Sequence, residues 1–243
     1  MTIPKIIHYI WLGGKPLPKI AKKCINTWKK VCPDYEIKRW DETNLDLDDQ
    51  YVKDAIEAKK FAFASDAIRF KILQEYGGIY LDIDVELIKP IDEFLSQPLF
   101  MCFENDKYVA PGLICGCEPN NDIINKINDY YRSAKFDCTD LTKMVTVCKV
   151  VTDILIEQGL KEKNETQNFD WGTIYASEYF CPKNMSDGRV VVTNNTYSIH
   201  HYLGSWSTPW FRFKNKVRQI VKRILGKRLV AKIKARKNKE VAK

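Results

Sequence analysis

The sequence has no run of 18 apolar residues and no charged start followed by a long apolar stretch and a cleavage site. From these absences we expect that the sequence contains no membrane-spanning helix and no signal peptide. Low-complexity tracts and internal repeats are also absent, which excludes fibrous and solenoid architectures. The eight cysteines include no CxxC pair, because Cys115 and Cys117 are only two positions apart. We therefore do not expect a zinc site. We expect the thiols to be reduced and the protein to be cytoplasmic.

The apolar content is sufficient for one domain with an appendage. The 243 residues are 45% hydrophobic and 12% aromatic. The net charge of +8 is unevenly distributed, because residues 212–243 contain 14 Lys and Arg against one acid. The rest of the chain contains 25 basic and 30 acidic residues. This acidic body, without a recognised nucleic-acid-reading motif, argues against nucleic-acid binding.

Apolar periodicity predicts strands that alternate with helices. Strands are predicted at 6–12, 35–40, 79–85, 99–104, 113–117, 189–193 and 196–202, and helices at 17–31, 49–76, 123–134 and 144–159. The alternation predicts an α/β fold with a mostly parallel central sheet and helices on both faces. Ligands in such sheets bind at the carboxyl ends of the strands, where Trp11 and the pair Asp82 and Asp84 lie.

The strongest chemical signal is Tyr80-Leu81-Asp82-Ile83-Asp84. Side chains alternate along a strand, so the two aspartates are expected on one face. Their mutual repulsion would be relieved by a cation, and Mn²⁺ or Mg²⁺ would also bind a diphosphate. An isolated DxD is more often a solvent-exposed pair at a strand end, so its meaning depends on the surrounding sequence.

Asp66 and Arg69 add to that context. They are three residues apart on a predicted helix and therefore share a face. One interpretation is a surface ion pair worth about 0.3 kcal/mol. The other is that Arg69 neutralises phosphate while Asp66 binds sugar hydroxyls.

Four segments in this order resemble glycosyltransferase family 32: residues 7–13, 64–69, 77–84 and 200–206. That family carries a DXD sugar-binding region. It includes bacterial capsule and polysaccharide transferases and fungal mannosyltransferases, and it is related to the glucosyltransferase domains of large bacterial toxins. The resemblance covers residues 3–207.

The resemblance implies a GT-A nucleotide-sugar-binding fold, which we assign to residues 1–209. It also implies metal-dependent, retaining transfer of a hexose from a UDP- or GDP-sugar to a glycan or lipid-linked acceptor, as in surface polysaccharide synthesis. Asp84 and Arg69 would be the catalytic residues, with Mn²⁺ or Mg²⁺ as the cofactor.

Individual donor contacts follow from the same resemblance. Trp11 would stack on the donor base. Ser65, Asp66 and Arg69 would form the donor-contacting face of a helix, with Asp66 on sugar hydroxyls and Arg69 near the phosphates. Tyr80 would be a second residue of the donor pocket. A core position for Trp11 is the alternative.

The implied metal ligands are Asp82, Asp84 and His201, with Asp84 as the more direct one. Ser205 and Trp206 would join His201 in a carboxyl-terminal segment that closes over the diphosphate. Adjacent residues of a strand point to opposite faces, so only one of His200 and His201 can face the site. We expect His201 to be that residue, although a structural role for it remains open.

Residues 210–243 have apolar side chains at helical spacing among many Lys and Arg. The apolar positions are Phe213, Val217, Ile220, Val221, Ile224, Leu225, Leu229 and Ile233. This pattern predicts an amphipathic helix on an anionic membrane surface, at the inner face. A basic helix docked on the domain and a nucleic-acid-binding segment are the alternatives.

Two other functions compete with the transferase. A phosphohydrolase of the haloacid-dehalogenase type also has DxD at a strand end, but it needs Thr or Val where this chain has Glu86. A non-catalytic membrane adaptor would need only the basic tail, and it would not need Trp11, Arg69, Asp82 and Asp84 together.

Overall fold

The protein is described by a computed structural model that covers residues 2–137, 145–184, 187–204, 210, 214 and 217–220. Helices and strands alternate through most of it. In chain order they are β1 (Ile6–Ile10), α1 (Lys19–Val31), β2 (Glu36–Trp40), α2 (Gln50–Glu57), α3 (Phe61–Tyr76), β3 (Gly78–Tyr80), β4 (Val85–Leu87), β5 (Leu99–Cys102), β6 (Cys115–Cys117), α4 (Asp122–Ser133), α5 (Val147–Glu157), β7 (Gln167–Phe169), β8 (Gly172–Tyr175), α6 (Ser177–Phe180) and β9 (Ser198–His200).

Seven strands form the central sheet in the order β2-β1-β3-β6-β5-β8-β7, and β4 pairs with β9 in a second, two-stranded sheet. In the central sheet β1 is parallel to β2 and β3, and β5 is parallel to β8, whereas β6 and β7 are antiparallel to their neighbours. Five of the seven strands therefore point the same way, which confirms the mostly parallel sheet. The carboxyl ends of β1, β3, β5 and β8 lie at one end of the sheet, where a ligand is expected.

Side-chain alternation along the strands produces two apolar cores, one on each face of the sheet. In β5, Leu99 and Met101 belong to the core shared with α3, α4 and α5. Phe100 and Cys102 belong to the other core, which includes Trp28 of α1. Helices thus cover both faces, as predicted.

α3 ends at Tyr76, directly before the Gly77-Gly78 pair that was predicted to close it. Gly77 has φ 62° and ψ −148°, so the backbone is more extended than the left-handed cap that the sequence suggested. A Cβ at Gly77 would lie 2.6 Å from Pro119 and 2.9 Å from the carbonyl oxygen of Cys117. Only glycine satisfies both the positive φ and this close approach.

His8 of β1 connects the sheet to the end of α3. Its ring is buried, with Nδ1 3.1 Å from the indole nitrogen of Trp40 and Nε2 3.0 Å from the carbonyl oxygen of Gly77. Because an indole nitrogen only donates, Nδ1 is the acceptor and Nε2 carries the proton given to Gly77. Burial lowers the pKa of His8 to about 4, so the ring remains neutral at pH 7.

The chain divides into two compact units, Met1–Pro182 with Val192–Tyr202, and Lys183–Val191 with Leu203–Lys243. In the second unit Trp210, Val217 and Ile220 are helical and exposed. The other positions of the predicted apolar stripe, and Ser205 and Trp206, lie outside the described residues. Within the part of the chain that is described, no helix combines the length and the apolar character needed to cross a bilayer.

Candidate functional site

Asp82 and Asp84 lie in a turn, and not on the continuous strand predicted over 79–85. Val85, the first residue of β4, donates its amide to the carbonyl of Asp82 at 3.0 Å. The amide of Asp82 donates to the carbonyl of Gly112 at 3.0 Å, and the indole of Trp28 donates to the carbonyl of Val85 at 2.7 Å. The turn is therefore held from both sides, and its conformation, not strand alternation, orients the two carboxylates.

β9 brings a histidine to this turn. It pairs antiparallel with β4, and the register places His200 opposite Val85. His200 Nε2 lies 3.1 Å from Asp84 Oδ1, and ligand atoms of Asp82, Asp84 and His200 all lie within 4.8 Å of one another. Mn²⁺ accepts a set of two carboxylates and an imidazole, whereas Mg²⁺ prefers oxygen ligands alone.

The pKa shifts of Asp82 and His200 show that this cluster favours added positive charge. Burial raises the pKa of Asp82, although Arg69 opposes the shift. Burial would lower the pKa of His200, but Asp84 and its neighbouring carboxylates outweigh that and the net shift is upward. Nδ1 of His200 is buried without a hydrogen-bond partner among the described residues.

His201 faces away from the cluster. Its Nε2 lies 2.8 Å from Glu86 Oε2, and its amide donates to the carbonyl of Asp84 at 2.9 Å. Adjacent residues of an extended segment point to opposite sides, so the pairing that brings His200 inward sends His201 towards Glu86. The sequence favoured His201 as the third metal ligand, and the structure places His200 there instead.

Arg69 of α3 occupies the centre of a buried charge cluster. Its Nη2 lies 2.5 Å from Asp66 Oδ1 and 3.7 Å from Asp82 Oδ1, and its side chain is 5% exposed. The guanidinium carbon lies 4.5 Å from the centre of the Tyr80 ring, and the Tyr80 hydroxyl donates to Asp82 Oδ1 at 3.1 Å. The surface ion-pair interpretation of Asp66 and Arg69 is therefore wrong, because both side chains lie in the interior.

Asp66 and Ser65 use part of their hydrogen-bonding capacity within the protein. Burial raises the pKa of Asp66 from 3.8 to about 7, against the opposing charge of Arg69. The Ser65 hydroxyl donates to the carbonyl of Phe61 at 2.6 Å, and its own carbonyl accepts from Arg69 Nε at 3.2 Å. Asp66 thus faces the charge cluster, whereas the hydroxyl proton of Ser65 is retained by α3.

Trp11 follows β1 and is half-buried, outside both apolar cores. Its amide donates to the carbonyl of Trp40 at 2.9 Å, and its indole nitrogen donates to the carbonyl of Lys15 at 2.5 Å. β1 pairs directly with β3 in parallel, so Trp11 and Asp82 follow the carboxyl ends of neighbouring strands. The position of Trp11 does not match the core alternative.

Comparison with known proteins agrees with this arrangement. The model of the glycosyltransferase sugar-binding region containing DXD motif matches residues 18–101, which include Asp66, Arg69, Asp82 and Asp84. Residues 18–101 therefore resemble the sugar-binding region of DXD glycosyltransferases, and the chain is a glycosyltransferase.

The alignments with known glycosyltransferases differ in how much of each protein they include. An uncharacterized glycosyltransferase of Acanthamoeba polyphaga mimivirus is 24% identical over 217 residues, which are 84% of each chain. The initiation-specific alpha-1,6-mannosyltransferase of Candida albicans is 31% identical over 144 residues, which are 55% of this enzyme and 37% of the fungal protein. The structure of PaToxG glycosyltransferase aligns with a TM-score of 0.50 at 23% identity, over 65% of this chain and 70% of that one. This structural likeness confirms the GT-A-type α/β fold.

Gly112 is a residue of this site that the sequence did not reveal. A Cβ at this position would lie 2.2 Å from Asp82 Oδ2 and 3.1 Å from Arg69 Nη1. The peptide at Gly112 therefore occupies the space beside the Asp82 carboxylate that any side chain would need. The Pro111-Gly112 pair signals a turn. Its approach to Asp82 depends on the antiparallel pairing of β3 with β6, which local sequence does not determine.

Proposed function

We propose that this glycosyltransferase is a metal-dependent, retaining hexosyltransferase. It moves a sugar from a UDP- or GDP-sugar to a glycan or lipid-linked glycan, as in surface polysaccharide synthesis. The observation that supports this is the cluster of Asp82, Asp84 and His200 next to the buried guanidinium of Arg69. With a divalent cation bound, such a site would place positive charge where a nucleoside diphosphate departs.

Mn²⁺ or Mg²⁺ would be held by Asp82, Asp84 and His200, and when bound it would stabilise the negative charge of the leaving diphosphate as a Lewis acid. Arg69 adds a fixed positive charge at the same place. Asp66 and Asp82 hold its guanidinium group in position. Tyr80 packs against the guanidinium and orients the Asp82 carboxylate through its hydroxyl.

The donor would lie along the carboxyl ends of β1 and β3. Trp11 would stack on the base, and Asp66 would accept hydrogen bonds from the sugar hydroxyls. Ser65 would belong to the donor-contacting face of α3, and the roles of Ser205 and Trp206 at the diphosphate stay predictions from the sequence. The Candida albicans relative is named as a mannosyltransferase, so a mannose donor is the first to test.

The decisive experiment measures hydrolysis of a panel of UDP- and GDP-sugars with Mn²⁺, with Mg²⁺ and with excess chelator. We expect turnover only with metal, and a loss of at least about 100-fold in Asp84→Ala, because charge stabilisation worth a few kcal/mol is removed. Asp129→Ala is the matched control, since the Asp129 side chain is 68% exposed on α4.

Full activity of Asp84→Ala, or of the wild type in chelator, contradicts the metal assignment. Release of inorganic phosphate from a simple phosphomonoester, without sugar transfer or hydrolysis of a nucleotide sugar, would instead support the phosphohydrolase.

The proposal extends to the basic tail. Residues 1–209 would form the transferase domain, and residues 210–243 would bind the anionic inner face of a membrane, close to a lipid-linked acceptor. The 14 Lys and Arg against one acid within residues 212–243 support this attraction. Truncation after Thr208 should abolish flotation with anionic vesicles and preserve hydrolysis of the soluble donor. Membrane binding by residues 210–243 is contradicted if the truncated chain still floats with anionic vesicles. It is also contradicted if flotation of the full chain does not depend on lipid charge.

A further inference from the structure

A further carboxylate lies at the end of the sheet where the donor site is. Glu104 follows the end of β5 by two residues. β6 is antiparallel to both β3 and β5, so β3 and β5 point the same way. Glu104 and Asp82 therefore both follow the carboxyl ends of strands that share one direction, and such ends form the ligand site of an open α/β sheet.

The surroundings of Glu104 hold its carboxylate in place while leaving part of it accessible. The residue is half-buried, and its amide donates to the carbonyl of Tyr108 at 2.8 Å. The Tyr202 hydroxyl donates to the Glu104 side chain and lies 2.8 Å from Cys181 Sγ. Burial raises the pKa of Glu104, and the nearby His200 and the Tyr202 hydroxyl partly oppose that shift.

Tyr202 links Glu104 to the carboxylate and histidine cluster. Its ring centre lies 4.2 Å from that of His200, whose Nε2 contacts Asp84 at 3.1 Å. The backbone of Tyr202 has φ 55°, an uncommon conformation for a bulky residue that requires support from its surroundings. The support comes from packing against a small cluster of Ala110, Leu113 and Cys181.

Cys148, in the first turn of α5, packs against the same small cluster as Tyr202. Burial raises the pKa of its thiol, and the charges of Glu104, Asp66, Arg69 and Asp82 all act on it. Glu104 follows β5, whereas Trp11 and Asp82, which are proposed to bind the donor, follow β1 and β3.

We propose that Glu104 is the acceptor-binding carboxylate of this enzyme, accepting hydrogen bonds from hydroxyl groups of the incoming acceptor. The inference rests on the proposed transferase function and names the side of the site that the donor does not use. A carboxylate repels a diphosphate but suits neutral hydroxyl donors such as sugars and polyols. Tyr202 acts as a positioning residue, because its hydroxyl orients the Glu104 carboxylate.

The test separates transfer to an acceptor from hydrolysis by water. The donor that the wild type hydrolyses is incubated with Mn²⁺ and with each of three probes: methyl α-D-mannoside, methyl β-D-galactoside and myo-inositol. Wild type, Glu104→Gln and Glu104→Asp are compared with Asp106→Asn. Asp106 is exposed in the same loop and is the matched control.

We expect Glu104→Gln to lower transfer by about tenfold or more, mainly through a higher KM for the acceptor, because a hydrogen bond to a charged group is lost. Donor hydrolysis, the affinity for UDP or GDP and Tm should remain at wild-type values. Glu104→Asp keeps the charge with a shorter reach and should lie in between. Tyr202→Phe should raise the acceptor KM by about threefold without changing hydrolysis, because the Glu104 carboxylate loses the hydroxyl that orients it but keeps its own bond to the acceptor.

Unchanged transfer by Glu104→Gln overturns the assignment. An equal fall of hydrolysis and transfer also overturns it, because Glu104 would then serve the donor or the fold. Absence of transfer by the wild type to all three probes contradicts an acceptor site for hydroxyl compounds here. Absence of any metal-dependent donor hydrolysis is a different result, which overturns the transferase proposal itself.

Discussion

Asp66–Arg69 on α3 and Asp129–Arg132 on α4 are the same sequence pattern in two surroundings. Each pair is three residues apart, with guanidinium-to-carboxylate distances of 2.5 and 2.9 Å. The Arg69 and Asp66 side chains are 5% and 16% exposed, whereas those of Arg132 and Asp129 are 59% and 68% exposed. Water solvates the exposed charges whether or not they pair, but the buried charges depend on each other.

The composition of each helix explains the difference. α4 buries one face through Ile123, Ile124 and Ile127, and Asp129 and Arg132 lie on its opposite, exposed side. α3 has apolar residues on all sides, so its polar pair lies among buried side chains. An Asp-x-x-Arg pattern is therefore informative about a site only when the rest of the helix predicts burial.

The largest expected difference follows removal of each arginine. Arg69→Ala would leave Asp66 and Asp82 buried without their cation, which should cost about 3–5 kcal/mol of the free energy of unfolding. Arg132→Ala should change it by less than about 0.5 kcal/mol. Urea denaturation measures both values. A loss below about 1 kcal/mol for Arg69→Ala would remove the distinction between the two pairs.

An intermediate difference concerns pH. Burial raises the pKa of Asp66 from 3.8 to about 7, so the unfolded chain releases this proton before the folded chain does. Folding stability is therefore lost as pH rises through this interval, and it is fully retained only below the unfolded value. Asp66→Asn cannot ionise, so its stability relative to the wild type should increase from pH 4 to pH 7, by at most about 1.4 kcal/mol per pH unit.

The control for that titration is Asp129→Asn, which removes a carboxylate from the same sequence pattern at an exposed position. Urea midpoints measured at several pH values for the three proteins give the comparison. Parallel pH profiles of Asp66→Asn and the wild type would show that Asp66 titrates alike in the folded and unfolded chains.

The smallest expected effect is the coupling within the exposed pair. A double-mutant cycle on Asp129 and Arg132 should give about 0.3–0.5 kcal/mol. In 1 M salt, where the screening length is about 3 Å, this coupling should disappear. The corresponding cycle on Asp66 and Arg69 should retain its coupling in salt, because the pair is shielded from solvent. Equal salt sensitivity of both couplings would contradict the role given to burial.

Sequence reasoning succeeded where elements are long and periodic. The predicted strand over 35–40 and helix over 17–31 correspond to β2 and α1, and the helical region over 49–76 to α2 and α3. β7 and β8 were missed because they are short and acquire their strand state from pairing with each other and with β5. The strand predicted over 189–193 is reduced to a single bridge between Lys183 and Val190, because no neighbouring strand continues it among the described residues.

The site was predictable in its residue types and less so in its geometry. The DXD pattern and the Asp66–Arg69 spacing identified groups that the structure brings together with Tyr80. The choice between His200 and His201 depends on the register of β4 with β9, which is a property of the fold. For the same reason the sequence did not show that Gly112 approaches Asp82.

The peptide of Gly112 lies directly beside the Asp82 carboxylate, and this restricts how the site can change by substitution. Glycine has no rotamers and no side-chain atoms to remove, so a replacement at this position can only add atoms. The first added carbon would already lie 2.2 Å from the Asp82 carboxylate. A single substitution at Gly112 can therefore crowd the Asp82 carboxylate but cannot make more room beside it. Divergence in ligand size among related sequences should accordingly be found at positions whose side chains can be shortened, and not at this glycine.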